Sequence, residues 1–401
     1  MTTPSRAPYS GPALFSHGFR PFFLLAGLFA VVAVPLWMTI WSGHAALGGT
    51  FAPIDWHIHE MLFGYTSAVI AGFLFTAIPN WTGRMPKRGW PLMVLATLWV
   101  AGRLAVAGAL GLGPIAVLVL DTSFMVLIGA MVVSEIIARR NWGNLKVVVP
   151  VLVYLGANVI FHLEVMWSGQ ADVGRRLGFA MVVMLILLIG GRIIPSFTRN
   201  WLTRQGQHSG NGPGPMPAPF GKMDAASLGF ALLALMTWVV FPETALAAAG
   251  LMLAGAVQMI RLVRWQGWRT LASPLLAMLH VAFAFLACGL FAVGLAGFGI
   301  LPAATGLHLP SIGGVGGMTL SVMMRASLGH TGRALEVGPM LTAAFACVVL
   351  AAVVRASAPA EAGLWVAALL WTLGFATFLA QYAPILAMGN AGPKRADHKA
   401  G

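Results

Sequence analysis

The chain has 401 residues, of which 59% are hydrophobic and only 9% are charged, and its formal net charge is +13. An ordinary soluble protein carries about 25% charged residues, so a soluble enzyme of this size could not cover its surface with so few charges. The two cysteines are too few for a disulfide-stapled scaffold. The composition therefore predicts an all-α polytopic membrane protein that forms a single integral membrane domain over residues 1–401.

Twelve apolar runs are candidate membrane-spanning helices, because a helix of about 20 apolar residues crosses the hydrocarbon core. The runs are continuous rather than alternating, which excludes a β-barrel. In chain order they cover 20–42, 58–79, 90–111, 113–138, 145–167, 173–196, 224–242, 244–262, 271–296, 306–327, 338–355 and 362–388. Between the sixth and seventh runs, the Gly and Pro content of residues 205–221 predicts a flexible loop.

The distribution of Lys and Arg predicts the orientation of the helices. With the N-terminus in the cytoplasm, nineteen of the 24 basic residues fall on the cytoplasmic side and three on the opposite side. Both termini, and the loop at 205–221, are then cytoplasmic. This one-sided distribution of Lys and Arg accounts for the high net charge of a protein surrounded by membrane lipid. No nucleic-acid partner is needed to explain it.

Predicted helices 2, 6 and 10 share features at a period of four helices. His59 precedes a Thr-Gly-Arg sequence at Thr82 by 23 residues, and His308 precedes the same sequence at Thr331 by the same distance. Helix 6 ends in Ile-Pro-x-x-Thr, as helix 2 does, but has no His at the matching start. The pattern indicates either three-fold pseudo-symmetry or a shared way of ending a helix at the cytoplasmic face.

Ionisable side chains inside a bilayer cost a few kcal/mol each, and here they cluster by depth. His280 falls about midway along predicted helix 9. The group near the outer face comprises His57, His59, Glu60, His162, Glu164 and His308. Because neutral imidazole is a common ligand of copper and of haem iron, the five histidines of this set are the candidate cofactor and metal ligands.

Helix geometry limits how these histidines combine. Residues two apart on a helix point about 200° apart, so His57 and His59 cannot face one iron on a regular helix. Either His59 binds a haem while His57 faces a second site, or His57 lies in an extended lead-in. His59 and His308, at the same depth on different helices, are the expected axial pair. Arg103 and Arg192, expected to be buried, would hold the propionates.

Four acidic residues have candidate roles. Glu60 and Glu164 are placed where they could deliver protons from the outer side, and they are the candidate catalytic residues. Asp121 and Glu135 on predicted helix 4 could relay protons or pair with Arg103, and the sequence does not decide between these roles.

Several long segments resemble a known family. They are Gly18-Phe-Arg-Pro-Phe-Phe-Leu-Leu-Ala26, Trp56-His-Ile-His-Glu-Met-Leu-Phe-Gly64, Gly190-Gly-Arg-Ile-Ile-Pro-Ser-Phe-Thr-Arg-Asn200 and Met323-Met-Arg-Ala-Ser-Leu-Gly-His-Thr-Gly-Arg333. Together they resemble the NnrS family of multi-pass proteins of the bacterial inner membrane. The resemblance implies one or two haem b groups, with copper also associated, and a role in the response to nitric oxide and in resistance to nitrosative stress.

The chain is also similar, more distantly, to haem-copper oxidases and respiratory nitric oxide reductases. That likeness implies three four-helix arcs, with haem ligands near the outer ends of helices 2 and 10, where His59 and His308 stand. Predicted helices 6 and 7 contain no histidine, so the usual ligand trio for a second metal is absent. A second site would have to use His57, His162 or His280.

Three functions remain open. The leading hypothesis is a haem-dependent oxidoreductase that removes nitric oxide by reducing it to nitrous oxide, with electrons from an unidentified donor such as a quinol. The alternative is a non-catalytic haem or copper sensor, or a carrier of nitric oxide or of metal-nitrosyl species. A transporter that uses intramembrane Arg and Glu would contain no haem.

Overall fold

A computed structural model of the chain describes residues 9–82, 86–138, 145–209, 214–358 and 360–389. These residues form twelve long helices and no strand, which confirms the all-α prediction. The helices are α1 (Phe19–Trp41), α2 (53–82), α3 (Trp90–Val106), α4 (Pro114–Ala138), α5 (Leu145–Ser168), α6 (Val173–Ser209), α7 (Lys222–Val240), α8 (Ala245–Val263), α9 (Pro274–Gly297), α10 (303–330), α11 (Pro339–Ser357) and α12 (Glu361–Ala387). Short 3₁₀ turns cover Ala13–Phe15 and Gly267–Thr270.

The largest difference from the predicted boundaries is at the end of α6. This helix continues to Ser209, through the first residues of the segment predicted as a loop from 205. The stretch 205–209 contains no proline, so every residue can keep its helical backbone hydrogen bond. The loop prediction is therefore wrong for 205–209, and residues 210–213 of that segment lie outside the described residues.

The helices belong to a multi-pass membrane protein. Ten of those described are long and apolar enough to cross a membrane; α3 has only 17 residues, and α10 is divided into shorter segments. Large apolar side chains are exposed on the bundle surface, as at Leu233 (68% exposed) and Leu246 (73%). An apolar surface of this kind is expected to face lipid hydrocarbon rather than water.

Helix α1 begins on the same side of the bundle on which helix α12 ends. Arg20 of α1 donates hydrogen bonds to the carbonyl oxygens of Ile385 and Leu386 in α12, at 3.0 and 2.9 Å. We call this side the terminal side and the opposite one the far side. The charge distribution predicts that the terminal side is cytoplasmic. Arg20, in the first family segment, thus has a structural role, because it connects α1 to α12.

Helices α2 and α10 share an unusual backbone feature. The α-helical turn Pro53–His59 is followed by a π-helical segment, Glu60–Tyr65, and the turn Ala303–His308 is followed by the π-helical segment Leu309–Gly316. Short π-helical segments are frequent at functional sites. The likeness between the two helices thus includes backbone geometry. Helix α6 has no such segment, and Gly83 and Arg84 of the predicted repeat lie outside the described residues.

Helices α2, α6 and α10 contact one another inside the bundle. Their contacts are a 2.7 Å hydrogen bond between the hydroxyls of Tyr65 and Thr319, the packing of Phe63 on Gly178, and the guanidinium of Arg325 at 3.8 Å from the ring centre of Phe197. The other helices pack around them, largely in chain order, and α1 also packs on α12. The three helices with related sequences therefore meet, while the three-fold arrangement of arcs stays a prediction.

Candidate metal centre

Polar side chains from four helices meet near the far side of the bundle. Helices α2 and α4 begin on this side, and α3 and α5 end there, so their polar residues come to the same depth. All of these side chains are buried. We call them the far-side cluster, and its members are His59, Glu60, Arg103, Asp121, Asn158 and His162.

The centre of the far-side cluster is the carboxylate of Asp121. Its Oδ2 lies 3.2 Å from Nε2 of His59, 3.0 Å from Nε2 of His162 and 2.8 Å from Nδ2 of Asn158. The ligand atoms of His59, Asp121 and His162 all lie within 4.8 Å of one another. Within the part of the chain that the structure describes, this is the one group of three His, Cys, Asp or Glu side chains close enough to share a metal ion.

The ring of His59 directs one nitrogen at each of two carboxylates. Its Nδ1 lies 3.0 Å from Oε1 of Glu60; in the tautomer that donates the Nδ1–H hydrogen bond to Glu60, Nε2 carries the lone pair. That lone pair faces Oδ2 of Asp121 and, at 2.9 Å, the amide oxygen of Asn158. Electron-rich atoms that converge in this way require a proton or a metal cation between them.

The formal charges of the far-side cluster also favour a cation. Arg103 donates to Glu60 at 2.7 Å and to Oδ1 of Asp121, so one guanidinium serves two carboxylates. With both imidazoles neutral, one negative charge remains. An unbalanced buried charge is costly, and a bound cation removes that cost. Two imidazole nitrogens and one carboxylate suit a first-row transition metal such as copper or iron, and three protein ligands leave a position open, as in catalytic sites.

Aromatic rings enclose the two imidazoles. The ring of Phe51 lies 4.9 Å from that of His59 and 5.0 Å from that of His162, and the ring of Phe161 lies 5.2 Å from that of His59. The imidazole rings themselves are 5.1 Å apart and meet edge to face. This packing leaves no slot for a porphyrin between them. The donor set therefore fits a bare metal ion and does not fit haem.

Two glycines give the charged side chains their room. A Cβ on Gly64 would collide with Arg103 and Glu60, and a Cβ on Gly102 would press on the backbone and carboxylate of Asp121. The glycine that ends the second family segment thus has a physical role, because it admits the ion pair.

His57 faces away from the far-side cluster. Since α2 begins at Pro53, His57 is helical, and the alternative of an extended lead-in is wrong. Its ring stacks on Trp37 with centroids 4.7 Å apart, and it lies close enough to His308 and Arg355 to interact with both electrostatically. His308 donates from Nδ1 to the carbonyl oxygen of Ala304 at 2.7 Å, so its Nε2 is left as an acceptor.

The structure gives His59 a different partner from the expected His308. No hydrogen bond, ion pair or ring contact joins them, because α2 turns His59 toward α4 and α5 and turns His57 toward α10. The histidine that does meet His59 is His162.

Two other candidates lie toward the terminal side. His280 is in the second turn of α9, with Nε2 at 3.0 Å from the hydroxyl of Thr198, so it does not join the other four histidines. Arg192 was expected to be buried, but its side chain is exposed and lies 5.6 Å from the ring of Phe220. Neither residue can reach a cofactor on the far side.

The remaining charged candidates acquire definite partners. Arg103 is buried as expected, but it is bound to Glu60 and Asp121 and is not free for a propionate. This contact decides in favour of pairing for Asp121, whereas Glu135 instead binds Lys87 at 2.8 Å.

Glu164 caps the start of α6. Its carboxylate accepts hydrogen bonds from the backbone N–H groups of Asp172, Val173 and Gly174, each at 2.9 Å. The first N–H groups of a helix have no partner within it, which explains the attraction. Glu164 therefore has a structural role and lies outside the far-side cluster.

Asn158 is the member of the cluster that the sequence reasoning missed. It is the one amide in the apolar run 145–167 and precedes His162 by four residues, a spacing that places both on one helix face. That signal was present in the sequence.

A family model described as NnrS protein matches residues 13–388, nearly the whole chain. No curated protein gives a match. The chain therefore belongs to the NnrS family, which is linked to the nitric oxide response.

Proposed function

We propose that the protein removes nitric oxide within the bacterial inner membrane by reducing it to nitrous oxide at the far-side cluster. The observation that carries the proposal is the convergence of two imidazoles and a carboxylate on one buried point with excess negative charge. Membership of the NnrS family supplies the substrate, because nitric oxide is the molecule to which the family is linked.

The reaction balances with one two-electron donor. Two nitric oxide molecules, two electrons and two protons give one nitrous oxide and one water. We assign the electrons to a membrane quinol, whose oxidation to a quinone releases two electrons and two protons. When bound, a copper or iron ion supplies one-electron chemistry and an open position for the gas.

The residues of the far-side cluster would bind the metal, orient a ligand and transfer a proton. His59, Asp121 and His162 would hold the metal, and the rings around them exclude water. Glu60 orients His59 through Oε1, which also accepts from Arg103. Its second oxygen, Oε2, is the atom at which Glu60 would hold a proton for the product.

The haem implied by the family fits a different place. His57 is within electrostatic range of His308, and the hydrogen bond from Nδ1 of His308 to the carbonyl oxygen of Ala304 leaves its Nε2 as the nitrogen that could bind a metal. Arg355 supplies a nearby cation for a propionate. We propose that these two histidines hold haem b, which when bound supplies one-electron transfer.

If both histidines hold the haem, it would serve electron transfer rather than gas binding, and this favours the second candidate function, a sensor or carrier. The reduced absorption spectrum with and without carbon monoxide separates the two, because only an open or displaceable position binds the gas. A reduced spectrum that carbon monoxide does not change would favour sensing.

The decisive experiment measures nitric oxide loss and nitrous oxide formation by the purified, metal-loaded protein with ascorbate and a redox mediator. Wild type should form one nitrous oxide from two nitric oxide molecules. His162→Ala should lose the activity, and His280→Ala, which alters a buried histidine elsewhere, should keep it. Loaded wild type that leaves nitric oxide untouched with every donor, or a fully active His162→Ala protein, would overturn the proposal.

A further inference from the structure

A cavity of about 80 Å³ lies where α2, α5, α6 and α10 approach one another. Its wall is almost wholly carbon. Two hydroxyls border it, and both are already bonded: Thr66 to the hydroxyl of Tyr154 at 2.9 Å and Thr319 to the carbonyl oxygen of Val315 at 2.7 Å. The aliphatic wall includes Val69, Leu74, Val182, Ile189, Met318 and Val322.

Such a cavity selects its contents by polarity. It is large enough for water, whose share of liquid volume is about 30 Å³, but a buried water needs two to four polar partners. The wall does not offer them, since the two bordering hydroxyls are engaged. Apolar cavities of this kind stay dry and bind xenon or small hydrocarbons. A charged or strongly polar substrate is excluded, and a small apolar molecule is favoured.

The cavity lies next to the far-side cluster, farther along α2 toward the terminal side. Thr66, in its wall, follows His59 by seven residues on α2, with the π-helical segment Glu60–Tyr65 between them. Two rings stand between them: Phe63 lies 5.3 Å from the ring of His59 and 5.2 Å from that of Tyr154. The rings of Phe63 and Tyr154 therefore separate the cavity from the proposed metal ligands.

We propose that this cavity is the holding site for nitric oxide, an apolar diatomic gas, on its way from the lipid to the far-side cluster. The inference rests on the proposed function for the identity of the gas. Half-buried isoleucines of α6, Ile186, Ile189 and Ile193, recur at spacings of three and four along its wall and extend the apolar lining. Protons need polar partners, so they reach the cluster by another route.

Xenon is the probe that tests the cavity itself. Xenon-pressurised diffraction of wild type should show the atom between α2, α6 and α10. Val69→Phe and Val182→Phe, both at buried wall positions, should abolish it. Val119→Phe adds the same ring at a surface position of α4 that is 58% exposed, and it should leave xenon bound.

Kinetics then test the passage of nitric oxide. We call Val69→Phe and Val182→Phe the filled variants. In both, the rate of nitric oxide consumption at low nitric oxide should fall about tenfold, while the rate at saturating nitric oxide and the metal content stay as in wild type. Val119→Phe should match wild type in all three. Xenon pressure on wild type should slow consumption in the same way, a measurement that does not depend on whether the variants fold.

The outcomes are distinct. No xenon in the wild-type cavity, or filled variants without xenon that consume dilute nitric oxide at the wild-type rate, would overturn the inference. Loss of xenon with slower consumption only at low gas supports it. A wild-type protein that binds xenon here but never consumes nitric oxide contradicts the proposed function and leaves the cavity as a site for apolar gas.

Discussion

The far-side cluster has a counterpart on the terminal side. There, Arg261 of α8 is fully buried, with Nε at 2.7 Å from Oδ1 of Asp224 in α7. Its Nη1 donates to the carbonyl oxygen of Leu187 in α6 at 3.0 Å and to Oε1 of Gln258 at 3.3 Å. Each region thus ties several helices together with buried ionic groups inside an apolar bundle.

The two regions differ in charge balance and in histidine. On the terminal side one buried guanidinium meets one buried carboxylate, and no imidazole takes part. A second cation, Arg264, lies 3.6 Å from Asp224, but its side chain is 32% exposed. On the far side two carboxylates share Arg103, and two imidazoles face the surplus negative charge. A balanced buried pair needs nothing further, whereas the unbalanced cluster needs a cation. Burial of charge alone therefore does not mark a functional site; the imbalance does.

Removing one partner of the balanced pair should have the largest effect on stability. We expect Arg261→Met to lower the free energy of unfolding by about 3–5 kcal/mol, because it leaves Asp224 buried with only the partly exposed Arg264 as a nearby cation. Denaturation in detergent measures this, with Arg264→Met as the more exposed control, for which about 0–1 kcal/mol is expected. The metal content of the folded fraction should not change, and a fall in it would contradict the separation of the two regions.

Removing a ligand from the unbalanced cluster should instead act on metal binding. In His162→Ala we expect affinity for the metal to fall by more than about 100-fold, since losses outside the ligand shell already cost about 10- to 100-fold. Elemental analysis and metal titration measure the change. His280→Ala is the matched control, and full metal content in His162→Ala would show that the far-side cluster is not a metal site.

The sequence predicts the helices well because long apolar runs have few alternatives in a membrane. It fails where the answer depends on which helices are neighbours. Depth and repeat position pair His59 with His308, and both follow from position along the sequence alone. The contact of His59 with His162 depends on the packing of α2 beside α4 and α5, which no spacing reveals.

The same limit explains the arginines and the glutamates. Arg103 and Arg192 look alike in sequence, since each interrupts a long apolar stretch, but the side chain of Arg103 is buried and that of Arg192 is exposed. Glu164 looks like a proton donor because it lies near His162. Its capping role depends on the turn that brings the start of α6 back over the end of α5.

A conservative change beside the ligands sharpens the comparison. Glu60→Gln keeps the shape and the bond to His59 but removes the surplus negative charge. We expect metal affinity to fall about 10- to 100-fold, while the metal-free protein unfolds at a temperature no lower than wild type. Metal titration and thermal unfolding test the two halves separately. A large drop in stability without metal would mean that the cluster is balanced in the same way as the terminal-side pair.

A substitution of Glu164 tests whether this residue caps α6 or takes part in catalysis. Glu164→Ala should destabilise the protein by about 0.5–2 kcal/mol, the range for losing a helix cap, without changing nitric oxide consumption by the folded protein. Unfolding curves and activity per bound metal measure these. A variant with normal stability and lost activity would restore the proton-delivery role.

The smallest effect is expected at Asp172, between α5 and α6, whose side chain is 50% exposed. The hydrogen bond from Arg176, aided by the charges of Arg176 and Arg175, holds the pKa of this carboxyl below its usual value, which is about 3.9. A lowered folded pKa adds stability that is fully present above the unfolded pKa and is lost as the pH falls through the folded one. At pH 7, Asp172→Asn should therefore be less stable than wild type, but by under about 1 kcal/mol because exposed pairs are screened by water. Unfolding measured from pH 7 downward should show the difference between the two proteins vanishing only below about pH 4. A difference as large as that of Arg261→Met would mean that burial does not set the scale of these ionic contacts.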